Sequence, residues 1–462
     1  MSNSNKLSFP SLTLGQISLG IYILSITLLP LGFGGNRDVP FGLSQIGLAI
    51  TALALLFEQS IINDTYWPKR IKVALALFAL VLVWGFLQTQ SFMPASLHHP
   101  LWQDASNALQ TPINGSIALW RDEAFYSLNR LITYIFAGLL AYILGSDPAR
   151  ARLMLQGLWY SGIALCFYGY LNVLTGNTKV LWVDKTQYQF DFTSTFVSKN
   201  HFAIYAVLVI LCGCALLYQS WRNVIRDTRP KQLLHTLGEW LKDKGIIQLS
   251  LIAYVFGAIV LSNCRSGLIL GIIGIAAFFT SYQVYAKNLK RALVLAAISV
   301  FFGFVIVATA VESSEYFASL FMDRSASDRM DVYKICLNAI SDNPLLGYGL
   351  GSFQAVYRFY NQTVTWSFNH AHSDILESLI DLGIPVGLML WTAILLLLSG
   401  LVRGLLKRRR HGLFPALGIA ASIVVLCHSA IDFSLQIPGV AMPFTMLLGI
   451  GLAQSWSSTE RT

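Results

Sequence analysis

The stretch HFAIYAVLVILCGCALLYQ, residues 201–219, determines the class of fold. It contains no Asp, Glu, Lys or Arg, and about 20 apolar residues in a helix cross the core of a bilayer. The same pattern recurs along the chain, so the sequence predicts an all-α, polytopic membrane protein with about 12 transmembrane helices. The predicted spans lie near residues 12–30, 41–57, 71–88, 126–145, 153–174, 201–219, 246–262, 267–284, 292–311, 383–402, 413–431 and 439–455.

The composition of the 462-residue chain excludes other classes of protein. The chain is 55% hydrophobic and 12% charged, whereas soluble domains carry about 25% charged residues. Intrinsically disordered chains lack so many apolar side chains. Six cysteines are too few for a disulfide scaffold. Cys264 and Cys336 both lie in predicted outer segments, and their spacing does not decide whether they pair.

The net charge of +9, from 32 basic and 23 acidic residues, is unevenly divided between the predicted loops. With the N-terminus in the cytoplasm, the inner loops hold about 21 of the basic residues, as the positive-inside rule requires. The densest basic cluster there is formed by residues 407–410. The basic residues therefore indicate orientation, and because no motif accompanies them we expect no nucleic-acid partner.

Three long loops are predicted on the outer face, near residues 89–125, 175–200 and 312–382. Long loops of this kind are usually functional or disordered. The longest one is rich in aromatic residues, so we expect it to form a small, partly helical extracytoplasmic subdomain.

Apolar residues at helical spacing in the longest loop predict a helix over residues 328–340. Ser327 or Asp328 is its expected N-cap, and Asn343 with Pro344 is its expected stop. The glycine-rich residues 343–353 that follow lack the strand and the Gly-Lys-Ser/Thr ending of a nucleotide-binding loop. They are predicted to form a tight structural turn.

The motif His370-Ala-His372-Ser-Asp374-Ile-Leu-Glu377 closes the longest loop and leads into the tenth predicted span. His372 and Leu376 would share one helical face, and His372 is a candidate general base that Glu377 or Asp374 could orient. Two other interpretations stay open, namely a zinc site and a helix cap with interfacial polar residues.

Five basic residues are predicted on the outer face: Lys199, Arg265, Arg324, Arg329 and Arg358. Arg265 lies between two apolar spans, where a charge is costly without a partner, and its guanidinium suits a phosphate. Arg329 could reach the same point from the loop helix. The alternative for all five is snorkelling to the membrane interface.

Two further polar sets flank predicted spans. Lys199, Asn200 and His201 precede the sixth span and could hold a sugar or a phosphate. His428 and Asp432 are four residues apart at the end of the eleventh span, where they can pair on one helical face. Packing at a helix end is the alternative interpretation of the second set.

The order of these motifs resembles the O-antigen ligase/polymerase superfamily of bacterial membranes, which includes lipid A-core O-antigen ligases and polymerases of O-antigen and exopolysaccharide. The resemblance rests on the order and spacing of several short segments. They are Arg329, Asn343-Pro344-Leu-Leu-Gly347-Tyr-Gly349, His370-Ala-His372-Ser-Asp374, Leu382-Gly383-Ile-Pro385, Phe196 with Asn200-His201-Phe202, Ser262 with Arg265-Ser-Gly267, and His428 with Asp432-Phe433.

This resemblance implies an inverting, metal-independent glycosyl transfer on the periplasmic side of the bacterial inner membrane, without a cofactor. The donor would be a glycan on undecaprenyl diphosphate, and the acceptor a hydroxyl on a glycan, on lipid A-core or on a protein. His372 would be the base, and Arg265 and Arg329 would bind the diphosphate. The substrate-binding residues would be Lys199, Asn200, His201, His370, Asp374, Glu377, His428 and Asp432.

The resemblance also implies a division of the chain. Residues 1–199 would form an N-terminal transmembrane region, residues 200–400 the ligase-like domain and residues 401–462 a C-terminal transmembrane region. The alternative function is a transporter of polysaccharide or lipid-linked glycan without chemistry. Against ion-coupled transport, the predicted spans are almost free of ionisable residues.

Overall fold

The computed structural model describes residues 13–185, 187–225, 228–297, 324–361 and 368–456. These residues form 17 α-helices and one small antiparallel hairpin, β1 (Lys179–Val180) with β2 (Val183–Asp184). The helices are α1 (Leu14–Thr27), α2 (Asp38–Phe57), α3 (Gln59–Asn63), α4 (Lys69–Gln88), α5 (Leu101–Leu109), α6 (Arg121–Leu144), α7 (Pro148–Leu174), α8 (Lys199–Ile225), α9 (Leu233–Trp240), α10 (Ile246–Leu261), α11 (Arg265–Tyr285), α12 (Arg324–Asp342), α13 (Phe353–Tyr360), α14 (Asp374–Leu382), α15 (Ile384–Lys407), α16 (Leu413–Ser429) and α17 (Pro438–Ala453).

Eight of the described helical segments are long and apolar enough to cross a membrane. They are α1 with its short extension to Leu31, α2, α4, α6, α8, the continuous helix from α9 through α10, α11 and α15. Helices α16 and α17 are apolar but shorter. The all-α, polytopic membrane class is therefore confirmed, while the larger number of spans stays a prediction.

Four predicted spans fall outside the set of eight. The eleventh and twelfth correspond to the shorter helices α16 and α17, and the fifth and ninth are missing for other reasons. The fifth corresponds to α7, which is 27 residues long but carries Gln156, Trp159 and Tyr160, so its apolar character is weaker. The ninth is residues 292–311, and the structure describes only its first part, up to residue 297. Residues 312–323 and 362–367 of the longest loop also lie outside the described residues.

Helix α8, which contains the decisive apolar stretch, lies at the centre of the bundle. Every residue from His201 to Ala215 is buried, and α7, α10, α11 and α16 pack around it. A helix that is apolar on all sides is stable only when other helices surround it or when it faces lipid. Here the other helices surround it, and its first turn is placed at one end of the bundle, called the site end below.

The glycine-rich turn after α12 fastens the loop subdomain to the bundle. Asn343 Nδ2 donates to the carbonyl of Gly347 at 2.7 Å, and the Tyr348 and Gly349 amides donate to carbonyls of α14 at 2.9 Å. Gly347 has φ +68°, a conformation that residues with a Cβ rarely adopt. The prediction of a tight structural turn is confirmed.

Helix α12 differs from its predicted bounds at one end. It ends at Asp342, directly before Asn343 and Pro344, as predicted. It already begins at Arg324, so the prediction that Ser327 or Asp328 caps it was wrong. Its first turns are polar, and apolar periodicity therefore reveals only the part of the helix that packs against other residues.

Candidate functional site

Three chain segments meet at the site end of the bundle. They are the start of α8, the residues that lead into α14, and the turn after α16. Together they form a histidine cluster, which consists of His201, His372, His428 and Asp432.

Asp432 is the centre of the histidine cluster. Its Oδ1 lies 3.2 Å from His372 Nδ1 and 3.7 Å from His201 Nε2, and its Oδ2 lies 4.0 Å from His428 Nε2. Asn200 Nδ2 donates to Oδ2 at 2.8 Å. The Asp432 side chain is 3% exposed and that of His372 is 23% exposed, so His372 is the member that a substrate can reach most easily.

The electrostatics of the cluster determine the proton on His372. Burial alone would raise the pKa of Asp432, but its interactions with His201 and His372, and the charge of His428, lower that pKa well below the usual range. An ionised carboxylate only accepts hydrogen bonds, so Nδ1 of His372 carries the proton that points at Asp432. In the neutral imidazole, Nε2 then has a free lone pair, as a general base requires.

The backbone holds His372 in an unusual conformation just outside α14. Its φ is +52°, and its carbonyl accepts a hydrogen bond from Tyr333 Oη of α12 at 3.0 Å. Ser373 caps α14 by accepting from the Leu376 amide. The prediction that His372 shares a helical face with Leu376 was therefore wrong, because a residue with positive φ cannot continue a helix.

The carboxylates predicted to orient His372 have other partners. Glu377 Oε1 accepts from the Ala371 amide at 2.9 Å and lies 3.3 Å from His370 Nδ1. Asp374 Oδ2 accepts from the Leu435 amide at 3.1 Å. The prediction that Glu377 or Asp374 orients His372 was wrong, and Asp432 takes that position.

His370 stands beside the cluster. Its ring stacks on Phe433 with the centroids 3.9 Å apart, and the His372 ring meets the edge of the same Phe433 at 5.2 Å. Phe433 thus separates two histidines that contact two different carboxylates, Glu377 and Asp432. Among the described residues, no group of three or more His, Cys, Asp and Glu side chains is arranged to hold a metal ion.

Two of the predicted outer arginines reach the neighbourhood of the cluster. Arg329 Nη1 donates to the carbonyl of Ile431, the residue before Asp432, at 3.3 Å. Arg265 is the exposed first residue of α11, and the Ser266 hydroxyl next to it lies 3.4 Å from His428 Nε2. Arg358 is exposed in the last turn of α13, and the side chain of Arg324 lies outside the described part of the chain.

Lys199 is engaged beside the cluster. Its Nζ lies 3.0 Å from Asp191 Oδ2 and 5.4 Å from the centre of the Tyr188 ring. Asp191 also accepts from Asn263 Nδ2 at 2.9 Å, so it joins the loop before α8 to the turn before α11.

Four residues near the site were not anticipated from the sequence: Asp191, Ser266, Tyr333 and Ser434. The Ser434 hydroxyl lies 2.6 Å from His428 Nδ1 and fixes the ring of that buried histidine. A polar residue three to six positions after a motif histidine is a weak signal for such a contact. The loop around Asp191 offers no spacing that could have revealed it.

The six cysteines are free thiols. Cys264, at the N-cap of α11, and Cys336, on α12, are both buried. The question that their spacing left open is thus answered for this structure.

One end of the helical bundle thus carries a histidine–carboxylate pair and two arginines, which are groups that can transfer a proton and bind an anion. Residues 250–392 match the family model described as O-antigen ligase. That family implies glycosyltransferase activity on a lipid-linked glycan and is typical of bacterial membranes. No curated protein matches the chain.

The matched residues contain part of the site. They include Arg265, Arg329 and His372. His201 and Asp432 lie outside them on either side, and the fold brings both to His372.

Proposed function

We propose that the protein transfers a glycan from undecaprenyl diphosphate to a hydroxyl acceptor, with His372 as the general base. The observation that carries the proposal is the 3.2 Å contact between His372 Nδ1 and the buried Asp432, inside a chain that matches the O-antigen ligase family. The contact leaves Nε2 of a partly exposed imidazole available to a substrate.

In the proposed reaction, Nε2 of His372 takes the proton of the acceptor hydroxyl as its oxygen attacks the anomeric carbon of the donor. The new carbon–oxygen bond forms on the face opposite the diphosphate, so the configuration inverts. The bond between the anomeric carbon and the phosphate oxygen breaks, and its electron pair leaves with undecaprenyl diphosphate. Asp432 stabilises the imidazolium that forms, in the manner of a catalytic dyad.

The leaving diphosphate needs positive charge as the bond breaks. Arg329, held beside Ile431, and Arg265, next to the residue that contacts His428, are the proposed sources of that charge. A guanidinium binds phosphate oxygens with two parallel hydrogen bonds. The arginines and the histidine cluster together account for a reaction that proceeds without a metal.

The proposal includes the position of the protein in the cell. About twelve transmembrane helices in the bacterial inner membrane would place the site end in the periplasm, because the basic clusters lie at the opposite ends of the spans. Residues 200–400 would form the ligase-like domain between two transmembrane regions, 1–199 and 401–462. The acceptor is a glycan, lipid A-core or a protein, so the proposal covers both a ligase and a polymerase.

The experiment that tests the proposal is transfer by the purified full-length protein from undecaprenyl-diphosphate glycan to each acceptor class. His372→Ala is expected to lower the rate of transfer by at least about 100-fold, because a positioned general base contributes that much. His235→Ala is the matched control, since His235 is an exposed histidine on α9 that pairs with Glu239.

Normal transfer by the His372→Ala protein, with wild-type amounts in the membrane, would contradict the catalytic role. Absence of transfer from every donor and acceptor pair would instead favour the transporter without chemistry.

A further inference from the structure

A cavity of about 250 Å³ borders α14 and is partly open, and His372 is not among the residues that line it. Helices α4, α6, α15 and α17 form its walls. Along α6 its lining extends from Ser127 to Tyr142, which at 1.5 Å per residue is about 22 Å of helix. The walls are apolar over most of this depth, so the cavity has the length and the character of a site for a lipid chain.

The charged residues of the cavity are gathered at its site end, where α14 lines it. Asp374, Glu377 and Asp381 of α14 line it there, together with Arg130 of α6 and Gln436. Asp374 and Asp381 are 6% and 7% exposed. The Oδ1 atom of each has no hydrogen-bond partner among the described residues, and the same holds for Nε of Arg130.

Unpartnered polar atoms at such burial are rare and costly, and each one indicates a missing partner. Burial raises the pKa of both Asp374 and Asp381 well above the usual range. In the neutral form a carboxylic acid both donates and accepts hydrogen bonds, as does a hydroxyl group. The site end of the cavity therefore suits a ligand with several hydroxyl groups.

The charges there do not suit a phosphate. Arg130 is the one basic residue among the lining residues, against three acidic ones. Its guanidinium already donates to the Gln436 carbonyl at 3.2 Å and to Asn36 Oδ1 at 2.9 Å. A diphosphate there would lose its hydration and gain no basic side chain beyond the already engaged Arg130, since neutral carboxylic acids carry no positive charge.

We propose that this cavity binds a lipid with an uncharged, hydroxylated head group, with its chain between α6 and α17 and its head against Asp374 and Asp381. Calling this lipid the acceptor rests on the proposed function, whereas the binding itself does not. The two substrates would then approach by separate routes, the diphosphate by way of Arg265 and Arg329 and the acceptor by way of the cavity.

The test uses the full chain in nanodiscs and an alkyl β-glucoside that carries a photoreactive diazirine in its alkyl chain. After irradiation, labelled residues are expected on α6 and α17. Ile394→Trp fills the cavity and is expected to lower labelling by at least about fivefold, because the indole occupies the space of the chain. Leu395→Trp is the matched control, since Leu395 is 57% exposed on the next position of the same helix.

A second pair on another wall covers the case in which the first variant does not fold. Ile135 lines the cavity, and Ile132 is 45% exposed on the same helix, so Ile135→Trp is compared with Ile132→Trp. In competition, decyl β-glucoside is expected to displace the probe, and decyl phosphate to be at least about tenfold weaker, since an anion would lose its hydration without gaining a basic partner.

Labelling that neither filling variant reduces, or equal displacement by decyl phosphate, would overturn the proposal. His372→Ala is expected to lose transfer and keep the labelling, which separates this inference from the proposed function. Transfer without cavity labelling would overturn the cavity assignment alone, and cavity labelling in a protein without transfer would overturn the proposed function alone.

Discussion

Asp432 shows at the scale of single residues how one carboxylate can organise a site. It lies in a turn between two apolar helices, and three imidazole rings and one amide group converge on it. A buried charge of this kind is tolerated only because it is surrounded by such partners. The charge of Asp432 also fixes the tautomer of His372, and this leaves Nε2 available for the proposed role as general base.

The residues of this cluster could be predicted from the sequence, but their pairing could not. His372 and Asp432 each stand in a recognisable motif, 60 residues apart. Helical spacing predicted Glu377 as the partner of His372, because periodicity reveals only contacts between residues of the same helix. The partner that the fold supplies belongs to a different element.

A substitution at Arg265 tests whether a guanidinium is needed. Arg265→Lys keeps the positive charge but loses the planar fork, so we predict a loss of transfer activity of at least about tenfold. The measurement is kcat/KM with the undecaprenyl-diphosphate donor. Arg358→Lys, an exposed arginine on α13, is the control and is expected to retain activity. Full activity of the Arg265→Lys protein would refute a bidentate role.

The buried Asp374 predicts a particular dependence of stability on pH. Burial raises its pKa, with contributions from the charges of Glu377 and Asp432, while the hydrogen bond from the Leu435 amide opposes the rise. Between the ordinary Asp pKa of about 3.9 and the raised value, the folded protein holds a proton that the unfolded chain lacks. Stability therefore falls as pH rises through this window, by up to about 1.4 kcal/mol per pH unit from this group.

Asp374→Asn removes that titration, so thermal unfolding should show a gain in stability over the wild type that is larger at pH 8 than at pH 5. Asp331→Asn is the control, because Asp331 is exposed and pairs with Lys334 on α12. An equal effect of Asp374→Asn at both pH values would show that the carboxyl is not held neutral.

At the scale of elements, the helices of the bundle follow from apolar runs, whereas the ends of elements depend on contacts that a run does not contain. Helix α14 ends at Leu382, its C-cap Gly383 has φ +77°, and α15 begins at the next residue, Ile384. The sequence predicted an apolar span from residue 383 onward. It marked the preceding residues 370–377 only as a motif and did not predict that they lead into a separate short helix, α14. The glycine-rich turn against this junction was predictable, because three glycines in five residues indicate positive φ.

Gly347 makes this junction testable. A Cβ on Gly347 would lie 2.4 Å from the Asp381 carbonyl oxygen and 2.5 Å from the Gly383 amide nitrogen. We predict that Gly347→Ala lowers the free energy of unfolding by about 1–3 kcal/mol. The loss has two causes, the positive φ and the overlap of the added Cβ with backbone atoms. Thermal unfolding measures the effect. Gly176→Ala is the control, since Gly176 has φ +62° with no atom within 4 Å of the added Cβ. Equal losses in the two variants would mean that the contact at the junction has no role.

At the scale of the whole molecule, the scarcity of charge determines the arrangement. The 12% of charged residues are excluded from apolar helices that face lipid or each other, so they collect at the ends of the bundle. The sequence therefore predicted the class of fold and the end that carries the site. It could not predict that α8 would be the buried centre, because a helix apolar on all sides fits an interior position and a lipid-facing one equally well.

The orientation of the bundle can be measured with reporter fusions. Helix α15 runs from the site end to the basic residues 407–410, a length of about 36 Å for 24 residues, which is enough to cross a bilayer. The positive-inside rule places the basic end in the cytoplasm.

Alkaline phosphatase needs disulfide bonds and folds only in the oxidising periplasm. Its fusion after Asn361 should therefore be active and its fusion after Arg410 inactive, while a fluorescent reporter active only in the cytoplasm should give the opposite pair of results. Phosphatase activity after Arg410 and not after Asn361 would reverse the orientation, and it would place the histidine cluster on the side of the membrane where the proposed transfer does not occur.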